Sequence, residues 1–370
     1  MKLLHFADLH LDTSFRWADP SYARHRRRAL EETLKEICRL AVRHQVDALT
    51  CGGDLYEHDR FTPHTRDFLQ STFAELSPIR VFLAPGNHDW YGPQSLYSQA
   101  DWSDNVRVFT TPTLTAVPLT DGITLWGAAH CAPANTPGFL DGFRVDRGGI
   151  HIGLFHGSEH GDLGFQGNEK LPHAPFFAEQ IREAGLHHAL LGHFHRPADH
   201  DYHTYPGNPD PLSFGETWKG SAVLVEISDD GTITRTRLPV ARSEVNDVRI
   251  NITGAKHNSD VLERIKQETH DLRGAVRVTL EGELDPEIDL RLTDLKKLRP
   301  DHLDEWVIRL GNISIAPTYD LDQLKNEPTV RGQFVRDVLN SDSLTEEQRG
   351  RVLRAGLRAL DDRIDELEIL

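Results

Sequence analysis

Five short apolar runs in this 370-residue chain stop abruptly, and each stops at polar residues able to do chemistry. Leu3-Leu4-His5-Phe6-Ala7 runs into Asp8-x-His10, and Ala48-Leu49-Thr50-Cys51 into Gly53-Asp54. Val81-Phe82-Leu83-Ala84 leads to Gly86-Asn87-His88-Asp89, Ile150 to Phe155 to His156-Gly157, and Ala189-Leu190-Leu191 to Gly192-His193-Phe194-His195. Apolar runs of this length, closed by glycine and polar residues, read as central strands whose carboxyl ends open onto loops. In open α/β sheets those ends are where ligands bind. Five separate strand ends can therefore meet in one crevice.

The side chains at these ends suit a pair of cations. Two ions roughly 3.5–4 Å apart need more ligands than one loop supplies, and an anion that bridges them. Asp54 is the expected bridge, because a carboxylate can give an oxygen to both ions. Asp8, His10 and His195 divide naturally onto one ion, with Asn87, His156 and His193 on the other. Mixed imidazole and carboxylate ligation suits manganese, iron or zinc better than calcium. The sequence does not choose among the three, and manganese is the working expectation. His88, between a ligand and an acid, is assigned to proton transfer or phosphate stabilisation, with Asp89 expected to hold its ring.

With these motifs on the page, the chain resembles the calcineurin-like metallophosphoesterase superfamily, and other features look like its DNA-repair branch, the SbcD-type nuclease subunits. His5-Phe6-Ala7-Asp8-Leu9-His10-Leu11-Asp12 is similar to that branch's first motif. Tyr205-Pro206-Gly207-Asn208-Pro209, followed by Phe214-Gly215-Glu216, resembles its tyrosine, glycine, serine, proline and acidic segment, with Asn208 where serine often stands. The resemblance covers about residues 1–240. It implies a dinuclear phosphodiesterase acting on DNA, as the nuclease subunit of a repair complex with an SMC-like coiled-coil ATPase. Homodimer formation is left open. A phosphoesterase for a small molecule or phosphoprotein, or a scaffold that recruits an ATPase, are the alternatives, since one such site serves many substrates.

Other residues are given plainer roles. An isolated histidine such as His130 or His173, among 21, is expected on the surface or in packing. Asp12, Glu57, His58, Asp59, Glu159 and His160 flank the motifs and are read mainly as solvated loop residues. Cys38, Cys51 and Cys131 form no C-x-x-C pair and no disulfide framework. That cysteine usage makes a reducing cytoplasm the expected compartment. The chain also enters a strand directly after Met1, and no stretch is apolar enough to span a bilayer, so a soluble intracellular protein is expected.

The helical stripe Leu30, Leu34, Ile37, Leu40 and Ala41 predicts a helix over Tyr22–His44, and a second is expected over Thr65–Leu76. Later strands have fewer helices between them. The expected fold is α/β: two mixed β-sheets packed face to face and flanked by helices, with a small α+β accessory domain and C-terminal helices. Domain bounds of 1–240, 241–318 and 319–370 follow, the middle one a β-α-β-β module. In the last, Ser343-Leu344-Thr345-Glu346 reads as a capping box before a helix with Leu353, Leu357, Leu360 and Ile364 on one side and Arg349, Arg351, Arg354 and Arg358 mostly elsewhere. Gly350 and Gly356 argue against an unbroken helix there. Its stripe either packs on its own domain or docks the ATPase.

Net charge opposes a nucleic-acid substrate. Lys plus Arg number 41 against 57 Asp plus Glu, giving −16. The run Arg24, Arg26, Arg27 and Arg28 is read as a solvated helix face before a DNA track.

Overall fold

The computed structural model describes residues 1–161, 172–285, 288–315, 321–341 and 343–360. It divides into two compact units, Met1–Glu244 and Val245–Leu370.

The first unit runs β1 (Lys2–Phe6), α1 (Pro20–Arg43), β2 (Ala48–Cys51), α2 (Pro63–Ala74), β3 (Arg80–Leu83), α3 (Leu96–Gln99) and β4 (Val106–Val108). It continues through β5 (Thr115–Thr120), β6 (Ile123–Gly127), β7 (Ile150–His156), α4 (Ala178–Glu183), β8 (His188–Gly192), β9 (Ala198–Asp199), β10 (His203–Tyr205), β11 (Ser221–Ile227) and β12 (Ile233–Pro239). These strands form two six-stranded sheets, ordered β12-β11-β1-β2-β3-β4 and β5-β6-β7-β8-β10-β9. Within them β1 to β4 are parallel, as are β6, β7, β8 and β10, while the outer hairpins are antiparallel. The expected pair of mixed sheets is what the chain forms.

Alternation along the strands builds three layers of core. Leu3, Ala48, Phe82 and Val223 of the first sheet meet Leu125, Ile152, Leu154 and Leu190 of the second. Leu4 and Phe6 point the other way, into a core with Leu30, Leu34 and Ile37 of α1 and Leu69 and Phe73 of α2. Phe155, Ala189 and Leu191 do the same for the second sheet, against Ile181 of α4. A Leu34→Ala change would cost about 2–5 kcal/mol, because that side chain is wholly enclosed.

Helix α1 begins two residues before its expected start. Asp19 accepts hydrogen bonds from the backbone N–H groups of Ser21 and Tyr22 (2.7 and 2.9 Å), and Pro20 supplies a first residue that needs no bond. The basic run on this helix is not a uniformly solvated face. Arg24 and Arg28 are exposed, but Arg26 is fully buried, paired with Asp210 at 2.9 Å and lying over the Phe15 ring. A single arginine at the inward position of the stripe takes part in the core, which spacing shows and composition hides.

The second unit contains β13 (Val245–Asn251), α5 (Asn258–Thr269), β14 (Ala275–Leu284), α6 (Leu292–Lys296), β15 (Glu305–Ile315), α7 (Leu321–Leu324), α8 (Val330–Leu339) and α9 (Glu346–Leu360). Its three strands are parallel in the order β13-β14-β15. The expected β-α-β-β module is thus β-α-β-α-β: two parallel neighbours need a crossover, and the charged loop between β14 and β15 contains α6. The helices expected as a separate segment, 319–370, fall in this same unit.

Helix α9 is unbroken over Glu346–Leu360. Its cap lies two residues later than expected: Thr345 Oγ1 accepts from Gln348 N–H (3.3 Å), and Gln348 Oε1 accepts from Thr345 N–H (2.9 Å). Ser343 instead bonds Ser341. Gly356 has a packing reason to be in the helix, since a Cβ there would collide with the Phe334 ring of α8. Leu357 is buried with Leu324 and Val335, and Leu353 packs against them, so this part of the stripe serves its own unit. Ile364, the acidic ending 361–370, and the side chains of Arg351, Arg354 and Arg358 lie outside the described residues.

Candidate metal centre

Strands β1, β2 and β3 of one sheet and β7 and β8 of the other end at the same place, and hydrogen bonds beyond the strands lock their loops together. The loops after β1 and β2 continue as a small ladder: Asp8 N–H donates to Gly53 O, His10 N–H to Asp54 O, and Leu11 N–H to Leu55 O (2.9, 2.9 and 3.0 Å). Across the sandwich, His193 N–H donates to Asp8 Oδ1 (3.0 Å) and His156 Nδ1 stands 2.9 Å from Gly52 O. Gly53, at φ 102°, is required here; a Cβ would press on the His156 ring and on Gly86. Asp8, His10, Asp54 and His193 also lie in the left-handed region, at φ 56°, 52°, 52° and 112°. Non-glycine residues adopt that conformation where surrounding contacts enforce it.

All seven side chains expected as ligands are brought together. Asp8, His10 and His195 place one ligand atom each within 4.8 Å of one another, as do Asp8, Asp54 and His156. His10 Nε2 is 3.2 Å from His195 Nε2 and 3.6 Å from Asp54 Oδ2. On the other side, Asp54 Oδ2 is 3.4 Å from His156 Nε2, which is 2.9 Å from Asn87 Oδ1. His193 Nδ1 completes this group, 3.2 Å from His156 Nε2 and 3.3 Å from Asn87 Oδ1. Asp54 therefore stands between the two groups.

The donor set fits cations. His10 Nδ1 faces Glu57 Oε1 at 2.8 Å and His195 Nδ1 faces Glu216 Oε1 at 2.9 Å, so each ring keeps its proton on Nδ1 and turns a lone pair on Nε2 inward. Two lone pairs at 3.2 Å repel unless a proton or a cation lies between them. Burial pushes the Asp8 carboxyl up to about 8, with the neighbouring Asp54 charge adding to it. Burial also opposes ionisation of Asp54, but His156, His88 and His10 hold its carboxyl well below the usual range. Divalent cations would relieve both the lone-pair repulsion and the crowding of buried acids.

His88 stands at the rim, its side chain about half exposed (49%). Its backbone N–H donates to Asp54 Oδ1 (2.8 Å), and its Nδ1 lies 3.1 Å from Glu57 Oε2. That bond raises His88 to about 9. Asp89 does not hold this ring. Its carboxylate is wholly buried and accepts from Asp54 N–H, Gly86 N–H, Leu55 N–H and the Tyr97 hydroxyl (3.1, 2.6, 2.7 and 2.6 Å). It clamps the loops after β2 and β3, a requirement created by backbone donors that a residue pattern does not display.

Glu57, read from sequence as a loop residue, is the acid that orients both His10 and His88. The signal available was its position three residues past Asp54, on a loop already committed to the crevice. Glu216 orients His195 and is itself held by Asn208, whose Nδ2 donates to Glu216 Oε2 (2.6 Å) while its Oδ1 accepts from the Trp218 indole (2.7 Å). The Tyr205 hydroxyl donates to Gly157 O (2.7 Å), beside His156. The segment from Tyr205 to Glu216 thus supports ligands. His130, read as a bystander, is completely buried behind His156.

The profile of the calcineurin-like phosphoesterases matches residues 1–211. No curated protein matches the chain. Among solved structures, TT1561 of Thermus thermophilus shares 13% identity at a TM-score of 0.37, over 64% of this chain and 98% of that one. Yfce, a phosphoesterase from E. coli, shares 14% at a TM-score of 0.27, over 65% and 100%. Scores this low carry no structural detail across.

Proposed function

Because the chain belongs to the calcineurin-like phosphoesterase family, and its chemistry is phosphoester hydrolysis, we propose that it is a two-cation phosphodiesterase acting on DNA as the nuclease subunit of a repair assembly. Asp8, His10 and His195 would hold one cation and Asn87, His156 and His193 the other, with Asp54 shared, supplying acidified water and charge neutralisation at the phosphate. Glu57 keeps His10 turned inward and keeps a proton on His88. Glu216 does the first of these for His195. His88, at the rim, donates its Nε2 proton to the departing oxygen or to the phosphate.

The half-exposed ring of His88, held by Glu57 beside an otherwise closed ligand set, carries the hydrolytic reading, because an alkoxide leaving from phosphorus needs a proton. Support for DNA comes from the second unit. Parallel sheets are usually covered on both faces, yet one face of β13, β14 and β15 carries Arg249, Arg277 and Arg309 by register, with Arg249 and Arg309 exposed, Arg277 paired with Asp247, and Arg249 3.5 Å from Glu281. Arginines on a sheet face suit a phosphate backbone. The charge of −16 favours the second reading, a small phosphoester. Among the described residues of α9, Val352 and Leu360 are the exposed large apolar side chains a coiled-coil ATPase partner would meet.

Turnover of duplex DNA, single-stranded DNA, a cyclic nucleotide and a phosphopeptide, each with manganese, tests the proposal. DNA should be cleaved fastest. A preference of several decades for a small phosphoester would overturn it.

A further inference from the structure

A sixth strand end reaches the centre without giving it a ligand. His130 lies just past β6, the neighbour of β7, and is fully buried. Its main chain grips both ends of the loop that carries Asn87 and His88: His130 N–H donates to Pro85 O (2.9 Å), and Tyr91 N–H donates to His130 O (2.7 Å). Its ring grips the neighbouring strand end of its own sheet, the one that carries His156. Nε2 lies 2.7 Å from the carbonyl oxygen of His156, which can only accept, so Nε2 carries the proton. Nδ1 is then the acceptor for the Thr136 hydroxyl at 2.8 Å. Both ring nitrogens are used, the tautomer is fixed, and neither nitrogen is available to a cation.

We propose that His130 is a positioning residue that sets the spacing between Asn87 and His156, and through it the affinity of the cation those two residues would share with His193. The inference rests on the two-cation reading above. Asn87 arrives from β3 in one sheet and His156 from β7 in the other, yet Oδ1 and Nε2 stand 2.9 Å apart. The ring of His130 ties the main chain of His156 to the residue that holds the Asn87 loop at both ends. The other cation's ligands, Asp8, His10 and His195, have no bond to His130. Loss of the ring donor should therefore weaken one site and spare the other, which general loss of structure would not do.

His130→Leu removes the donor and keeps bulk, while His130→Gln places an amide N–H where Nε2 stood. Thr136→Val leaves the ring in place but unfixed. Binding of Mn²⁺ to the full chain by equilibrium dialysis, with thermal melting of the metal-free protein alongside, gives two readouts independent of turnover. Wild type should bind two ions. His130→Leu should bind one as wild type does and the second at least tenfold more weakly, His130→Gln should recover to within about threefold, and Thr136→Val should fall between. Equal weakening of both sites in His130→Leu, or no change in either, would overturn the role of His130. Failure of His130→Gln to recover, with unchanged melting, would overturn it too, since the hydrogen bond would not be what matters. If wild type itself binds fewer than two ions, the two-cation reading falls first, and the His130 role falls with it.

Discussion

Glu57 Oε2 stands 3.1 Å from His88 Nδ1 while its other oxygen is 2.8 Å from His10 Nδ1. One carboxylate thus orients a proposed metal ligand and the proposed proton donor together. Burial disfavours its charge, but the two imidazoles hold it at about 2. Glu57→Gln can satisfy one ring at most. We expect turnover of a diester with a poor leaving group to drop roughly a hundredfold and affinity for the first cation to drop about tenfold. Parallel rate and metal-binding measurements check this; unchanged values in both would remove Glu57 from the mechanism.

His88→Ala and Asp54→Ala should separate proton transfer from metal retention. The first removes a rim side chain that the proposal places outside the ligand set, so two metals should remain while turnover falls by about 10²–10⁴. The second removes the carboxylate between both ligand groups, and metal content should fall with activity. Elemental analysis of the purified variants decides, and equal metal loss in the two would contradict the division.

Asp89→Ala should behave as a stability mutant. It leaves three backbone N–H groups and a tyrosine hydroxyl without their buried acceptor. An unsatisfied buried donor costs about 1–3 kcal/mol, so a loss on the order of 4 kcal/mol is expected. Urea unfolding of the metal-free protein measures it. A variant as stable as wild type but impaired only in turnover would return Asp89 to a proton-relay role.

Two buried histidines away from the ligands predict acid sensitivity. His5 is held at about 4 and His188 at about 3, both chiefly because burial disfavours the charged ring. Their folded values lie below the ordinary 6.5, so the unfolded chain binds more protons as pH falls. Their contribution to stability is full above pH 6.5 and is lost progressively from there toward pH 3–4. At pH 5 each should have lost about 2 kcal/mol. Denaturant midpoints of the metal-free protein at pH 8, 6.5 and 5 test the slope. His5→Gln, whose uncharged amide can still reach Leu191 O, should flatten its share.

Much of this centre was legible because strands that end in ligands announce themselves twice, by an apolar run and by the polar residues that close it. Asp8, Asp54 and His156 are of that kind. Glu57, Glu216 and His130 were not, since each acts through a contact with a residue far away in sequence, and an acid or histidine on a loop looks the same whether it meets solvent or an imidazole. Asp89 was visible but misread, because adjacency to His88 in sequence is not adjacency of side chains on a turning backbone. In the second unit, the alternating apolar residues Val248 and Ile250, then Val276, Val278 and Leu280, then Trp306, Ile308 and Leu310 mark the strands that became β13, β14 and β15. That alternation could not give their parallel order, which depends on the five-residue α6 hidden among charges.

The left-handed backbone at Asp8, His10, Asp54 and His193 has a consequence for anyone selecting sturdier forms of this protein. Each such residue costs about 1–2 kcal/mol that glycine would not. A heat-resistance screen run without metal would therefore reward glycine most readily at His193, and least at Asp8 and Asp54, whose carboxylates accept from the backbone N–H groups of His193 and His88. A winner at any of the four would lack a proposed ligand. Backbone discomfort and the proposed ligands coincide in this chain, so selection blind to turnover would act against the very residues a turnover assay would defend.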